Sequence, residues 1–192
     1  NDYLYLTLLD HIDFALKRAG KGQFIRSPLT WEVKKFYPGH FQVGLHALKL
    51  IKERFHVEFH EDLAVSIALH LNLQSEGKDL KETIEAMQVL KDILSIIQYH
   101  YNIRLDESSV NYMRLITHLQ YFIQRLQAGQ VFEDNDKALN SQVRMLYPAA
   151  YGCAGKIRAY VKETFKMELT IDEETYLILH IHRVTNRMEK KE

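Results

Sequence analysis

Apolar residues return every three or four positions along almost the whole chain, a spacing that lays them on one face of an α-helix rather than on one face of a strand. The pattern predicts helices over about 3–19, 29–37, 41–55, 61–76, 80–101, 107–128, 136–147, 150–165 and 172–187, so the expected fold class is all-α. The punctuation agrees. Pro38 and Pro148 break the chain after Phe36-Tyr37 and Leu146-Tyr147, Gly20 and Gly129 are placed to close helices, and Asp106, Ser108 and Ser109 offer N-cap oxygens before the sixth segment.

The helical pattern repeats on a larger scale. Leu9-Asp10-His11-Ile12, with Phe14, Leu16 and Arg18, recurs 107 residues later as Ile116-Thr117-His118-Leu119 with Tyr121, Ile123 and Arg125. At a shift of 110, Phe36-Tyr37-Pro38 recurs as Leu146-Tyr147-Pro148, Lys52-Glu53 with Phe55 as Lys162-Glu163 with Phe165, and Ile67-Ala68-Leu69-His70-Leu71 as Leu177-Ile178-Leu179-His180-Ile181. Solenoid units run to roughly 20–50 residues, so this period means a duplicated domain. Two homologous tandem helical bundles are expected, at 1–76 and 104–192, joined by a linker helix in 77–103, which has no match elsewhere in the chain.

Composition narrows the function classes. With 192 residues and 46% hydrophobic side chains the chain can fill one sizeable core or two small ones. Lys+Arg and Asp+Glu both number 25, and neither half departs from that balance, so no basic face is offered to nucleic acid. The single cysteine, Cys153, excludes an internal disulfide framework and Cys-rich metal sites, and fits a reducing, cytoplasmic setting. No run approaches the ~18 apolar residues of a membrane span, so no membrane insertion is expected. The chain begins inside an amphipathic pattern without signal-peptide features, and is expected to be a piece of a longer protein.

Of ten histidines, only His11/His118 and His70/His180 occupy matching positions in the two copies. A lone histidine among apolar neighbours is ordinarily a half-buried one satisfied by backbone; four in register point to shared chemistry, which for imidazole is phosphate acceptance, metal binding or acid–base work. Zinc wants three or four converging ligands. His182 is two residues from His180, turned away by about 200°, and its counterpart is Asn72, so no metal and no cofactor are expected. Hydrolysis is disfavoured by the lack of a Gly-rich phosphate loop, a Gly-x-Ser-x-Gly elbow or a His-Glu-x-x-His stretch. Asp10 beside His11 has a likeness to the His-Asp pair of metal phosphohydrolases, but its counterpart is Thr117, so no catalytic residue is assigned and a helical metal-dependent phosphohydrolase stays the rival from another class. Arg18 and Arg125 follow His11 and His118 by seven residues, on nearly the same helical face; they suit contact with a phosphate or a partner carboxylate, and equally suit the negative C-terminal end of their helix.

Taken together, Leu6-Thr7-x-x-Asp10-His11-Ile12, Phe14-Ala15-x-x-Arg18, Leu29-x-Trp31-Glu32, Phe36-Tyr37 and Ile67-Ala68-Leu69-His70 stand in the first half. Thr117-His118-Leu119, Arg125-Leu126 and Tyr176-Leu177-x-Leu179-His180-Ile181-x-Arg183-Val184 stand in the second. Over essentially all its length the chain resembles the paired phosphotransferase-system regulation domains of BglG/SacY-type transcriptional antiterminators. The resemblance implies that His11, His70, His118 and His180 are phosphorylation sites, with Arg18, Arg125 and Asp10 as phosphate or interface contacts. It further implies a homodimer that is not itself an enzyme. The sugar-specific permease (enzyme II) would act mainly on the first domain to inactivate it, and the phosphocarrier protein HPr on the second to activate it. An RNA antiterminator element would be bound only through an N-terminal domain outside this sequence. A pair of such domains from a DNA-binding transcription activator is the alternative within the class. The stretch Asn72-Leu73-Gln74-Ser75-Glu76 departs from the small or hydrophobic run that many members carry after the first domain's second histidine.

Overall fold

Wherever the structure, a computed structural model, describes the chain (residues 2–24, 26–76, 80–130 and 136–186), the segments with the three-to-four rhythm are helices. Among the described residues the regular elements are α1 (Asp2–Ala19), α2 (Thr30–Phe36), α3 (Pro38–Phe55), α4 (Asp62–Glu76), α5 (Leu80–Tyr101), α6 (Val110–Gln127), α7 (Lys137–Leu146), α8 (Pro148–Phe165) and α9 (Ile171–Thr185). The fold is all-α with two tandem copies, as the periodicity predicts. Residues 77–79, the start of the expected linker, and Arg187, the end of the last predicted helix, lie outside the described residues.

Two helix starts differ from the sequence expectation. Pro38 and Pro148 do not leave a gap before the next helix: they are its first residues. Proline's fixed φ suits the first helical turn, where its missing N–H would be unbonded in any case. The residue before each takes the same non-helical conformation, Tyr37 at φ −129° and ψ 51° and Tyr147 at φ −130° and ψ 62°. One helix end is also reassigned. The glycine in the left-handed conformation after α1 is Gly22, at φ 70°, and not Gly20; its counterpart Gly129 has φ 63°. In both copies the turn then closes by the same bond, Gln23 N–H to Arg18 O and Gln130 N–H to Arg125 O, each at 3.0 Å. Of the three candidate caps before α6, Ser109 is the one used, its hydroxyl accepting from Tyr112 N–H at 3.1 Å.

The chain divides into two compact units, Asn1–Ile84 and Glu85–Glu192. In the first, α4 is the central helix, packed by α1, α2 and α3; Ala15, Leu63 and Ile67 are buried between them with Leu8, Ala47 and Leu48 against them. In the second, α9 is packed in the same way by α6, α7 and α8, around Leu119, Phe122, Ile157, Leu177 and Ile181. α5 gives the second unit Met87, Leu90, Ile93, Leu94 and Ile97, all buried. Asn72, in the stretch that departs from the family pattern, is fully buried.

The α3–α4 contact is set by a missing side chain. A Cβ on Gly44 would lie 3.0 Å from both Cα and C of Ala64 and closer still to its carbonyl oxygen. In the second unit the same positions, at the shift of 110, are Ala154 and Glu174. The second of these, Glu174, is a buried carboxylate.

Candidate functional site

The topology brings the repeated histidines together. α1 carries His11 and α4 carries His70; because these helices pack on each other, the two rings meet edge-on, 4.3 Å between centroids and 64° between planes. α6 and α9 repeat the arrangement with His118 and His180, at 4.6 Å and 32°. All four rings are half-buried.

Their nitrogens are differently occupied. Nδ1 of His70 lies 2.7 Å from the carbonyl oxygen of Ser66, one turn earlier on α4. A carbonyl only accepts, so Nδ1 carries a proton there. Nδ1 of His11 and Nδ1 of His118 are buried without a hydrogen-bond partner. Burial lowers the pKa of His11, and neighbouring His70 lowers it further, against the opposing pull of Asp10. Burial takes His118 down to about 4, helped by His180 and Arg125, and His180 is lowered by burial and then by Arg183 and Arg114. These three imidazoles are therefore neutral at pH 7, the state in which a ring nitrogen is a nucleophile.

The second pair lies in an open recess of about 420 Å³, lined by Val110, Met113, Arg114, Thr117 and Tyr121 besides the histidines. The Tyr176 ring stands 5.5 Å from that of His118. Val110, Met113, Tyr121 and Tyr176 are exposed there, as are Leu6, Leu9 and Phe14 on α1.

The other predicted residues lie apart from the rings. Arg125 pairs through Nε with Glu173, at 3.4 Å, and Glu173 in turn closes the capping box of α9 with Thr170. In the first unit the Glu173 position is Leu63; Arg18 instead lies over Phe14, 5.4 Å from its ring centroid, with its buried Nε unpartnered. Asp10 is exposed and acts on His11 through its charge. His182 points away from the pair, as its spacing implies, and stacks on Tyr147 at 3.9 Å. Among the described residues no group of three or more His, Cys, Asp or Glu is disposed to hold a metal ion, and no helix is long and apolar enough to cross a membrane.

Sequence reading missed one polar cluster. Glu174 is buried and accepts from Arg144 (Nε at 3.0 Å, and Nη2), from Arg158 Nη1 at 2.9 Å and from Asn140 Nδ2 at 3.3 Å. Two arginines on one buried carboxylate bind α7, α8 and α9 together. The available signal was the repeat itself: Glu174, Arg158 and Asn140 replace Ala64, Leu48 and Thr30.

Comparison with known proteins gives the same arrangement a family. The PRD domain family matches the chain twice, over residues 1–73 and 91–184. The transcription antiterminator LicT of Bacillus subtilis (strain 168) is 39% identical over 187 residues, 97% of this chain and 68% of the relative. The beta-glucoside operon antiterminator of Dickeya chrysanthemi is 36% identical over 188 residues, 98% of this chain and 66% of the relative. The glcA/glcB genes antiterminator of Staphylococcus carnosus (strain TM300) is 31% identical over 187 residues, 97% of this chain and 65% of the relative. The chain thus spans about two thirds of the length of these relatives. With both halves matched and the paired histidines at corresponding points of both, the chain belongs to the PRD-domain family of transcriptional antiterminators.

Proposed function

We propose that these residues are the regulatory part of a sugar-operon antiterminator, a cytoplasmic phosphoryl receiver that performs no catalysis, and that His11, His70, His118 and His180 are its acceptors. The observation that carries this reading is the duplicated ring contact: in each unit two half-buried histidines from different helices touch, with a buried, unpartnered Nδ1 on the first. A phosphoryl group brings about −1.5 to −2 charges to a neutral ring. In a packed face that charge must find cations or push the surfaces apart.

The same reading makes the chain a homodimer. Val110, Met113, Tyr121 and Tyr176 around the second pair form the kind of exposed apolar rim that an interface buries. Phosphoryl groups would come from HPr at the second domain, to activate, and from the sugar-specific enzyme II at the first, to inactivate. Arg18, Arg125 and Asp10 serve as nearby interface charges, Arg125 by steadying α9 through Glu173. In this reading 1–76 and 104–192 are the two regulation domains and 77–103 is the connecting helix, whose part from Met87 to Ile97 is packed into the second unit; RNA is bound by an N-terminal module outside these residues, in keeping with their balanced charge.

The test is to incubate the chain with enzyme I, HPr and phosphoenolpyruvate, then with the enzyme II domains added, and map phosphohistidine by mass spectrometry under neutral conditions. Phosphoryl groups on His118 or His180 with HPr alone, and on His11 or His70 once enzyme II is present, are expected. Phosphate at none of the four sinks the reading.

A further inference from the structure

The two histidine pairs have the same shape and opposite electrical surroundings. At the shift of 107, Arg114 corresponds to Thr7 and Thr117 to Asp10; at the shift of 110, Arg183 corresponds to Leu73. Arg114 stands four residues before His118 on α6, and Arg183 three residues after His180 on α9, each on the face of its histidine. Arg114, Thr117 and both histidines line one open recess, and the backbone carbonyl of Arg183 is tied to α6 by Asn111 Nδ2 at 2.9 Å. The charges acting on His180 are Arg183 and Arg114, whereas at the first pair the fixed charge acting on His11 is that of Asp10. The arginine common to both copies, Arg18 or Arg125, lies two helical turns past its histidine; Arg125 adds its charge at His118, with its Nε paired to Glu173.

We propose that Arg114 and Arg183 clamp a phosphoryl group carried on His118 or His180, and that the first pair has no such clamp. This rests on the reading of the pairs as phosphoryl acceptors and adds the residues that set the sign of the response. Before transfer, two cations disfavour a third charge on the imidazole and keep its lone pair available. During transfer that lone pair forms the N–P bond while the donor's N–P bond breaks and the donor nitrogen leaves with the electron pair. The acceptor ring then gives the proton of its other nitrogen to solvent and the departing nitrogen takes one up, so the phosphorylated ring ends neutral and carries the dianion. Afterwards two guanidinium groups offset the dianion by charge-assisted hydrogen bonds, so the face around the second pair stays able to pack. At the first pair the same dianion adds to Asp10 and repels.

The experiment uses the whole chain and potassium phosphoramidate, whose P–N bond breaks with loss of ammonia, so that no protein donor enters. Histidine-to-asparagine changes at one pair leave the other as the paired acceptor, mass spectrometry separates its phosphoryl group from any on the six remaining histidines, and ³¹P NMR follows its titration. The groups facing the second-pair phosphoryl are Arg114, Thr117 and Arg125 from α6, Tyr176 and Arg183 from α9, and whichever of His118 and His180 does not carry it. Its second ionisation should lie about 1 to 2 pH units below that of the first-pair phosphoryl. Arg114→Gln with Arg183→Gln should remove the difference, and lysine at both positions should restore most of it. Both arginines are exposed, and an unchanged circular dichroism spectrum checks the fold of each variant. Equal titration of the two pairs, a glutamine variant that leaves the second pair unchanged, or failure of phosphoramidate to charge the second pair would each overturn the clamp. Charging by phosphoramidate but not by HPr would instead refute the proposed donor and leave the clamp standing.

Discussion

Burial between α6 and α9 holds His118 near 4, against an ordinary 6.5, and the same cause lowers His11 and His180. Between pH 6.5 and about 4 an unfolded chain therefore takes up protons that the folded chain refuses. The stability these neutral rings contribute is complete above 6.5 and is lost as the pH falls through that window. The midpoint of thermal unfolding should drop between pH 7.5 and pH 5, and His118→Asn should flatten the drop whatever it does to the midpoint at pH 7.5. An equally steep fall in that variant would mean that the half-buried ring is not the group responsible. The four histidines were legible in the sequence because a register shared by two copies is stronger than any one position. Which nitrogen is occupied was not legible, since the Ser66 carbonyl that fixes His70 is a matter of rotamer and helix geometry.

At the scale of elements, the helices were readable because each carries its own apolar rhythm, and the departures lie where local signals have two meanings. A proline after an apolar run marks the end of one helix and equally the start of the next; Pro38 and Pro148 do both. Asp172-Glu173-Glu174 reads as an acidic first turn suited to the helix dipole, yet Glu174 is buried under Arg144 and Arg158, which come from two other helices. No local pattern encodes that meeting. Gly44 is the converse case, a mid-helix glycine whose reason is the Ala64 backbone on the neighbouring helix. Helix propensity alone would have Gly44→Ala stabilise by about 1 kcal/mol. The close crossing instead predicts a loss of roughly 1–3 kcal/mol, because main chain rather than a flexible side chain stands in the way. Urea unfolding decides between them, and a neutral or stabilised variant would show that α3 and α4 have room to part.

At the scale of the whole molecule, the chain has no net charge, and its two units repeat one topology around histidine pairs in different electrical settings. In the proposed switch, fold supplies the acceptor and the local charge decides the response: compensated at the second pair, repelled at the first. Aspartate at a histidine position supplies part of the phosphoryl charge permanently. The measurement that bears most directly on this is sedimentation equilibrium of two double variants beside the unaltered chain. His118→Asp with His180→Asp should tighten self-association, and His11→Asp with His70→Asp should leave it unchanged or weaken it. Equal dimer affinity for the two double variants would contradict the account.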